Sequence, residues 1–138
     1  MNFRETTQPD LDFMAEHSVS RGIQSKQPES IEYLYTLEHE GNPLGVGGFR
    51  LINSTTAWCW VDLSDRVHEG HTIVAYRVIK EWVEIFAKEH GIKRLQAYVA
   101  CDFPEAVRMV KHLGFYQEGP PMRCFLGEKS AYMYVRIL

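Results

Sequence analysis

The stretch LQAYVACDFPEAVRMVKHLGFYQEG, Leu95–Gly119, decides how this chain is read. It opens as a strand: Leu95, Ala97, Val99 and Cys101 alternate with Gln96, Tyr98 and Ala100, the period of two of a pleated backbone. The period then changes. Asp102–Leu113 reads as a helix, with Asp102 and Glu105 at capping-box spacing and Gly114 as its stop. Phe115–Glu118 reads as a further strand, closed by the Gly119-Pro120-Pro121 break.

Working back from Leu95, the strongest helical pattern carries Val74, Val78, Trp82, Ile85 and Phe86 on one face, with Arg77, Lys80, Glu81, Glu84 and Lys88 elsewhere; Gly91 ends it. Before it, Thr55–Leu63 is the most β-prone run. Tyr33–Glu40 and Leu44–Ile52 read as a hairpin turning at Gly41-Asn42-Pro43. Gly45, Gly47 and Gly48 inside its second strand predict a bulge or a close backbone approach. Asn2–Glu5 is a short first strand. A helix opens at Pro9 and Asp10, carries Leu11, Met14, Ala15 and Val19, and stops at Gly22. Ser25–Ser30 is a loop. Met122–Phe125 and Ser130–Ile137 finish the chain as a hairpin. A helix between the strands Thr55–Leu63 and Leu95–Cys101 predicts a parallel pair joined by a right-handed crossover. The class is α+β, a mixed, mostly antiparallel sheet with helices on both faces.

The 138 residues and 16.0 kDa suit one domain, 1–138. Folding at that mass leaves roughly 7,400 Å² of about 23,000 Å² accessible, enough burial for a core without disulfide or metal staples. The formal charge is −3 and no basic face stands out, which argues against a nucleic-acid binder. No apolar run reaches the roughly 18 residues of a membrane span, and the N-terminus has no apolar signal region. Cys59, Cys101 and Cys124 are odd in number and lack C-x-x-C spacing, so buried free thiols are expected, in a cytoplasmic protein.

Leu95–Gly119 resembles the second half of the GNAT N-acyltransferase fold. That family's pattern is a strand, N-x-x-A, a helix, then L-G-F and a strand ending near E-G; here Ala106, Leu113-Gly114-Phe115 and Gln117-Glu118-Gly119 keep the separations. The element order matches over the whole chain. The resemblance implies a central parallel pair that splays apart, acetyl-CoA or a related acyl-CoA as co-substrate in the gap, and a primary amine as acceptor. It implies a pyrophosphate on backbone N–H groups where the crossover helix begins, the general anion site of a helix N-terminus. The segment there is Leu63, Ser64, Arg66, Val67, His68, Glu69, Gly70, His71 and Thr72. Of the family loop Q/R-x-x-G-x-G/A only Gly70 is kept. Glu69 opposes an anion; Arg66, His68 and His71 offset it.

Two further departures concern the last helix. The family's asparagine is Phe103, with Asp102 beside it, so a ring replaces an amide against the CoA arm. The family's thiolate-protonating tyrosine is Val110, which donates no proton. Acyl transfer to an amine needs a base and a donor to the developing oxyanion. The resemblance puts that donor in Val61–Ser64. Asp62 is the nearest carboxylate and the candidate base; Tyr116 and Tyr98 are candidate acids, and Trp58 and Trp60 share a strand face as core or as a wall of the acceptor cleft.

A narrower resemblance, on Trp58-Cys59-Trp60 and Ser64-Asp65-Arg66-Val67, is to the GNAT-like proteins of short-tailed phages, including internal virion protein A, where assembly contacts rather than catalysis are the competing role. The acceptor segment of this fold corresponds to Leu11–Ser30; with Asp12, Glu16, Glu29 and nearby Glu32 it suits a cationic acceptor. Tyr132, Tyr134, Val135 and Ile137 in the closing hairpin suggest an edge strand covered by a second copy, a homodimer.

Overall fold

The computed structural model describes residues 1–19 and 33–138. The chain runs β1 (Asn2–Glu5), α1 (Gln8–His17), β2 (Tyr33–His39), β3 (Asn42–Asn53), β4 (Thr56–Leu63), a 3-10 turn (Asp65–His68), α2 (Thr72–Glu89), β5 (Arg94–Ala100), α3 (Pro104–His112), β6 (Tyr116–Gln117), β7 (Met122–Leu126) and β8 (Lys129–Ile137). One mixed sheet holds the strands in the order β1-β2-β3-β4-β5-β8-β6, with β7 also on β8. Only β4 and β5 pair in parallel among the described strands. No helix is long and apolar enough to cross a membrane among the described residues.

The two faces of the sheet are covered differently. Phe3, Tyr35 and Phe49 point to α2, where Trp82 stacks on Phe3 at 4.4 Å and Phe86 on Phe49 at 3.9 Å. α3 lies beside α2, with the rings of Tyr76 and His112 5.7 Å apart. The helix face that reaches the sheet is Ala75, Ile79, Val83, Phe86 and Ala87. The expected stripe is therefore rotated: Val74 and Ile85 are exposed, because two alanines let the backbone sit closer on the sheet at their own azimuth.

α1 covers the opposite face. Thr7 and Asp10 form a capping box, and Asp10, buried, accepts from Arg4 at 2.7 and 2.8 Å and from Thr36 at 3.1 Å. Arg4 holds that carboxyl well below the usual carboxylate range. The helix ends at His17, earlier than its pattern suggests. Ser18 forms a bridge with Ser64, and the Val19 amide donates to the Leu63 carbonyl at 2.9 Å, so tertiary pairing competes successfully with another helical turn. The expected stop at Gly22 and the loop Ser25–Ser30 lie outside the described residues.

The β2–β3 turn falls one residue earlier than expected. Glu40 and Gly41 both take positive φ, 52° and 80°, the two-residue geometry that follows the strand twist. The strand glycines mark close approach: a Cβ on Gly45 would lie 2.7 Å from the Asp62 carbonyl, and one on Gly47 2.8 Å from that of Trp60.

Candidate active site

The β4–β5 ladder stops early. Its partners are Thr56↔Arg94, Ala57↔Leu95 and Trp58↔Gln96, yet β4 continues to Leu63 and β5 to Ala100. Backbone alternation says which groups face the gap. The Ser64 amide donates to Leu44 on β3, so the amides and carbonyls of Cys59, Val61 and Leu63 turn toward β5. The Cys101 amide donates to Ser130 on the β8 side, so those of Tyr98 and Ala100 turn toward β4. The Val19 amide takes the Leu63 carbonyl, and the Phe103 amide takes that of Ala100 at 3.1 Å. Val61 and Tyr98 thus lie beyond the last pair of the β4–β5 ladder, Trp58↔Gln96, with their backbones turned toward the gap.

Beside the gap lies a cavity of about 140 Å³, lined by residues from both faces of the sheet. On the α2 and α3 side its lining includes Val83, Phe103, Ala106, Met109 and Val110; on the α1 side it includes Trp58, Trp60 and Tyr98. Cys59 also lines it, with Sγ 3.7 Å from the Gln96 carbonyl. Burial pushes that thiol up to about 12, so it stays neutral and is no nucleophile near pH 7. Two of the three cysteines differ from expectation: Cys124 is exposed and Cys101 half-buried, because β7 is an edge and Cys101 lies just past the end of β5.

Between β4 and α2 the chain winds through the 3-10 turn rather than an open loop. Leu63, Ser64 and Val67 are buried, so only their backbones are available to a ligand; the Ser64 hydroxyl has no hydrogen-bond partner among the described residues. The Val67 carbonyl accepts from the His71 amide at 3.1 Å and from the Thr72 hydroxyl at 3.3 Å, closing the turn. Glu69 and Gly70 are exposed. Gly70 has φ +91°, and a Cβ there would meet nothing within 4 Å: the residue is required by its backbone angle, and the space before α2 is open. His71 stands at the N-cap of α2, its ring 4.8 Å from that of His39. His68 lies in the 3-10 turn. Arg66 sits over the Phe13 ring at 5.7 Å, and Asp65 is 3.3 Å from His17, so the turn is fastened to the end of α1.

Asp62 is buried, and the Ser18 hydroxyl donates to it at 2.6 Å. Alternation along β4 puts it on the face of Trp58 and Trp60. Phe103 and Ala106 reach the cavity; Asp102 does not cap α3 and instead pairs with Lys129 at 3.1 Å. The N-cap is Phe103, because Pro104 sets where the helix begins. Tyr116 is not brought to the cavity. It is 52% exposed on β6, separated from β4 by β8 and β5, while its neighbour Phe115 points into the core. Asp12 is exposed and bonded to Gln8, Glu16 is exposed, and Glu29 and Glu32 lie outside the described residues. Sequence reasoning missed the Val61 and Tyr98 backbone groups, which carry no side-chain signal, and the fastening of Phe13 and His17 to the 3-10 turn, which spans too great a separation for local patterning.

No protein-family model and no curated protein matches the sequence. Solved structures do match the shape. A chimera of the Vibrio cholerae spermidine N-acetyltransferase SpeG superposes with TM-score 0.75 at 16% identity, covering 99% of this chain and 96% of that one. The ribosomal-protein-alanine N-acetyltransferase from Brucella melitensis gives 0.73 at 14% identity over 100% of both chains. Ard1 from Thermoplasma volcanium gives 0.74 at 18%, covering 99% of this chain and 97% of that one. At these identities the likeness is one of fold, and the fold of this chain is the GNAT fold.

Proposed function

We propose that this chain is an acyl-CoA-dependent N-acyltransferase, using acetyl-CoA or a related acyl-CoA, that acylates a primary amine. The observation that carries the reading is the early end of the β4–β5 ladder beside a cavity that has Val61 in its lining. The co-substrate supplies an acyl group activated as a thioester. The Val61 backbone, beyond the last pair of the ladder, suits an extended amide-bearing arm, which adds to a strand edge as a peptide does. Phe103 and Ala106 give that arm an apolar wall. The first turn of α2, whose amides have no intrahelical partners, faces the open space at Gly70 and suits the pyrophosphate.

The Val61 amide then doubles as the donor to the negative charge that develops on the carbonyl oxygen. The amine enters from the face of Trp58, Trp60 and Asp62. Asp62, held by Ser18, takes the ammonium proton directly or through water. The new bond joins the amine nitrogen to the acyl carbon, the carbon–sulfur bond breaks, and water returns a proton to the thiolate, since Val110 has none to give. A second reading rests on Val110, buried where the family keeps its acid: a GNAT-fold phage protein acting through protein contacts.

Thermal-shift titration separates the two. Ligand binding to the native state adds RT ln(1+[L]/Kd), about 2.7 kcal/mol at a hundredfold excess over Kd, so acetyl-CoA should raise Tm clearly. Gly70→Arg, which fills the space before α2, should weaken that response tenfold or more. An unchanged Tm at millimolar acetyl-CoA favours the contact protein.

A further inference from the structure

The α1 side of the sheet carries a row of rings that begins at the cavity. Trp58 and Tyr98, both lining it, meet edge to face with centroids 5.7 Å apart. Tyr98 meets Phe125 of β7 edge to face at 5.0 Å. Phe125 is 44% exposed, so the row runs from the cavity wall to the surface.

Its outer ring is placed by an irregular backbone. The β7–β8 pairing slips between Met122↔Ala131 and Leu126↔Lys129, and inside the slip Cys124 has φ +55°, a region that disfavours a residue with a Cβ. Such a bulge turns the next side chain off the face that strict alternation would give it. Here the turned side chain is Phe125, and it lands on Tyr98.

The charges beside the row discriminate between acceptors. Arg50 stands directly opposite Trp58, is exposed, and makes no ion pair among the described residues. Gln96 stands beside Trp58 on β5 and accepts from Arg94. A polyamine laid along the row would meet a guanidinium. A neutral flat ring would meet an aromatic row whose outermost member, Phe125, is exposed to receive it.

Resting on the acyltransferase reading, we propose that Trp58, Tyr98 and Phe125 form an acceptor shelf and that the acceptor is a primary amine on a short linker from a planar aromatic ring. The ring lies on the shelf and the amine reaches the gap beside Val61.

Isothermal titration of the full chain with 2-phenylethylamine and tryptamine, against 2-cyclohexylethylamine and spermidine, tests this without turnover. The aryl amines should bind more tightly than both comparators. Phe125→Leu, which keeps apolar bulk but loses the ring, should weaken aryl-amine binding about tenfold, while Phe125→Tyr restores it. The acetyl-CoA thermal shift should be the same in all three proteins. Equal aryl-amine affinity in Phe125→Leu and wild type, no aryl-amine binding at millimolar concentration, or tighter binding of spermidine would overturn the shelf. If acetyl-CoA gives no shift but aryl-amine binding still depends on the Phe125 ring, the shelf stands and the acyltransferase reading fails.

Discussion

The two crossovers beside the gap, β4–α2–β5 and β5–α3–β6, are built from opposite kinds of residue. In the second, the residues that make the sequence recognisable are interior: Val110, Leu113 and Phe115 are each 5% exposed. Gly114 has φ +88°, and a Cβ there would lie 3.2 Å from the Arg136 guanidinium, which donates to the Leu113 carbonyl and pairs with Glu84. In the first, Asp65, Arg66, Glu69 and Gly70 are exposed. The packing of the core therefore dictates L-G-F, whereas the turn before α2 buries Ser64 and Val67 and leaves its other positions outside the core's control. A recognisable motif in one crossover and a degenerate one in the other is what those two kinds of constraint produce.

Asp62 breaks that division and offers the largest effect. It belongs to the first crossover yet is buried and held by Ser18 at 2.6 Å. Asp62→Asn keeps the shape and removes the proposed base. Turnover should fall about 10²–10⁴-fold with little change in acyl-CoA KM. Ser18→Ala removes only the donor and should cost less. Full turnover in Asp62→Asn would place the base elsewhere and leave the first crossover with no buried chemistry.

Val110→Tyr probes the other side of the comparison. The position both lines the cavity and sits in the core. A phenol there should overpack α3 by about 1–3 kcal/mol, read as a Tm lower by several degrees, with no gain in rate. A rise in turnover of about 10²-fold at unchanged Tm would show instead that the second crossover has room for an acid and that its valine is a functional choice.

Legibility followed the same division. The strand, helix and strand of Leu95–Gly119, the parallel pair and the α+β class were readable, because alternation, period and stop glycines are local and the core enforces them. The face of α2 was misjudged, since Val74 and Ile85 are larger than Ala75 and Ala87 and apolarity alone does not say which row sits closest to the sheet. The end of α1 escaped because the Leu63 carbonyl that claims the Val19 amide is far away in sequence. Phe103 and Val110 were placed at the cavity by motif spacing. Tyr116 was not, as one step of alternation separates it from the buried Phe115.

The smallest effect is a paired one. Gly70 and Gly114 have nearly the same backbone angle, +91° and +88°, so replacing either with alanine carries the same left-handed penalty, about 1 kcal/mol. What differs is the space. At Gly70 the methyl group meets nothing within 4 Å, while at Gly114 it presses on Arg136 at 3.2 Å. Denaturant unfolding should therefore show Gly114→Ala less stable than Gly70→Ala, by on the order of 1 kcal/mol if Arg136 must give up its bond to Leu113. Ligand response should run the other way. Gly114→Ala leaves the start of α2 untouched and should keep the wild-type acetyl-CoA shift, whereas Gly70→Ala narrows the backbone approach and should lose part of it. Equal losses of stability would mean that the Arg136 side chain swings aside freely. In that case Gly114 is held in this sequence by its φ alone, and L-G-F is a constraint of the turn rather than of the packing around it.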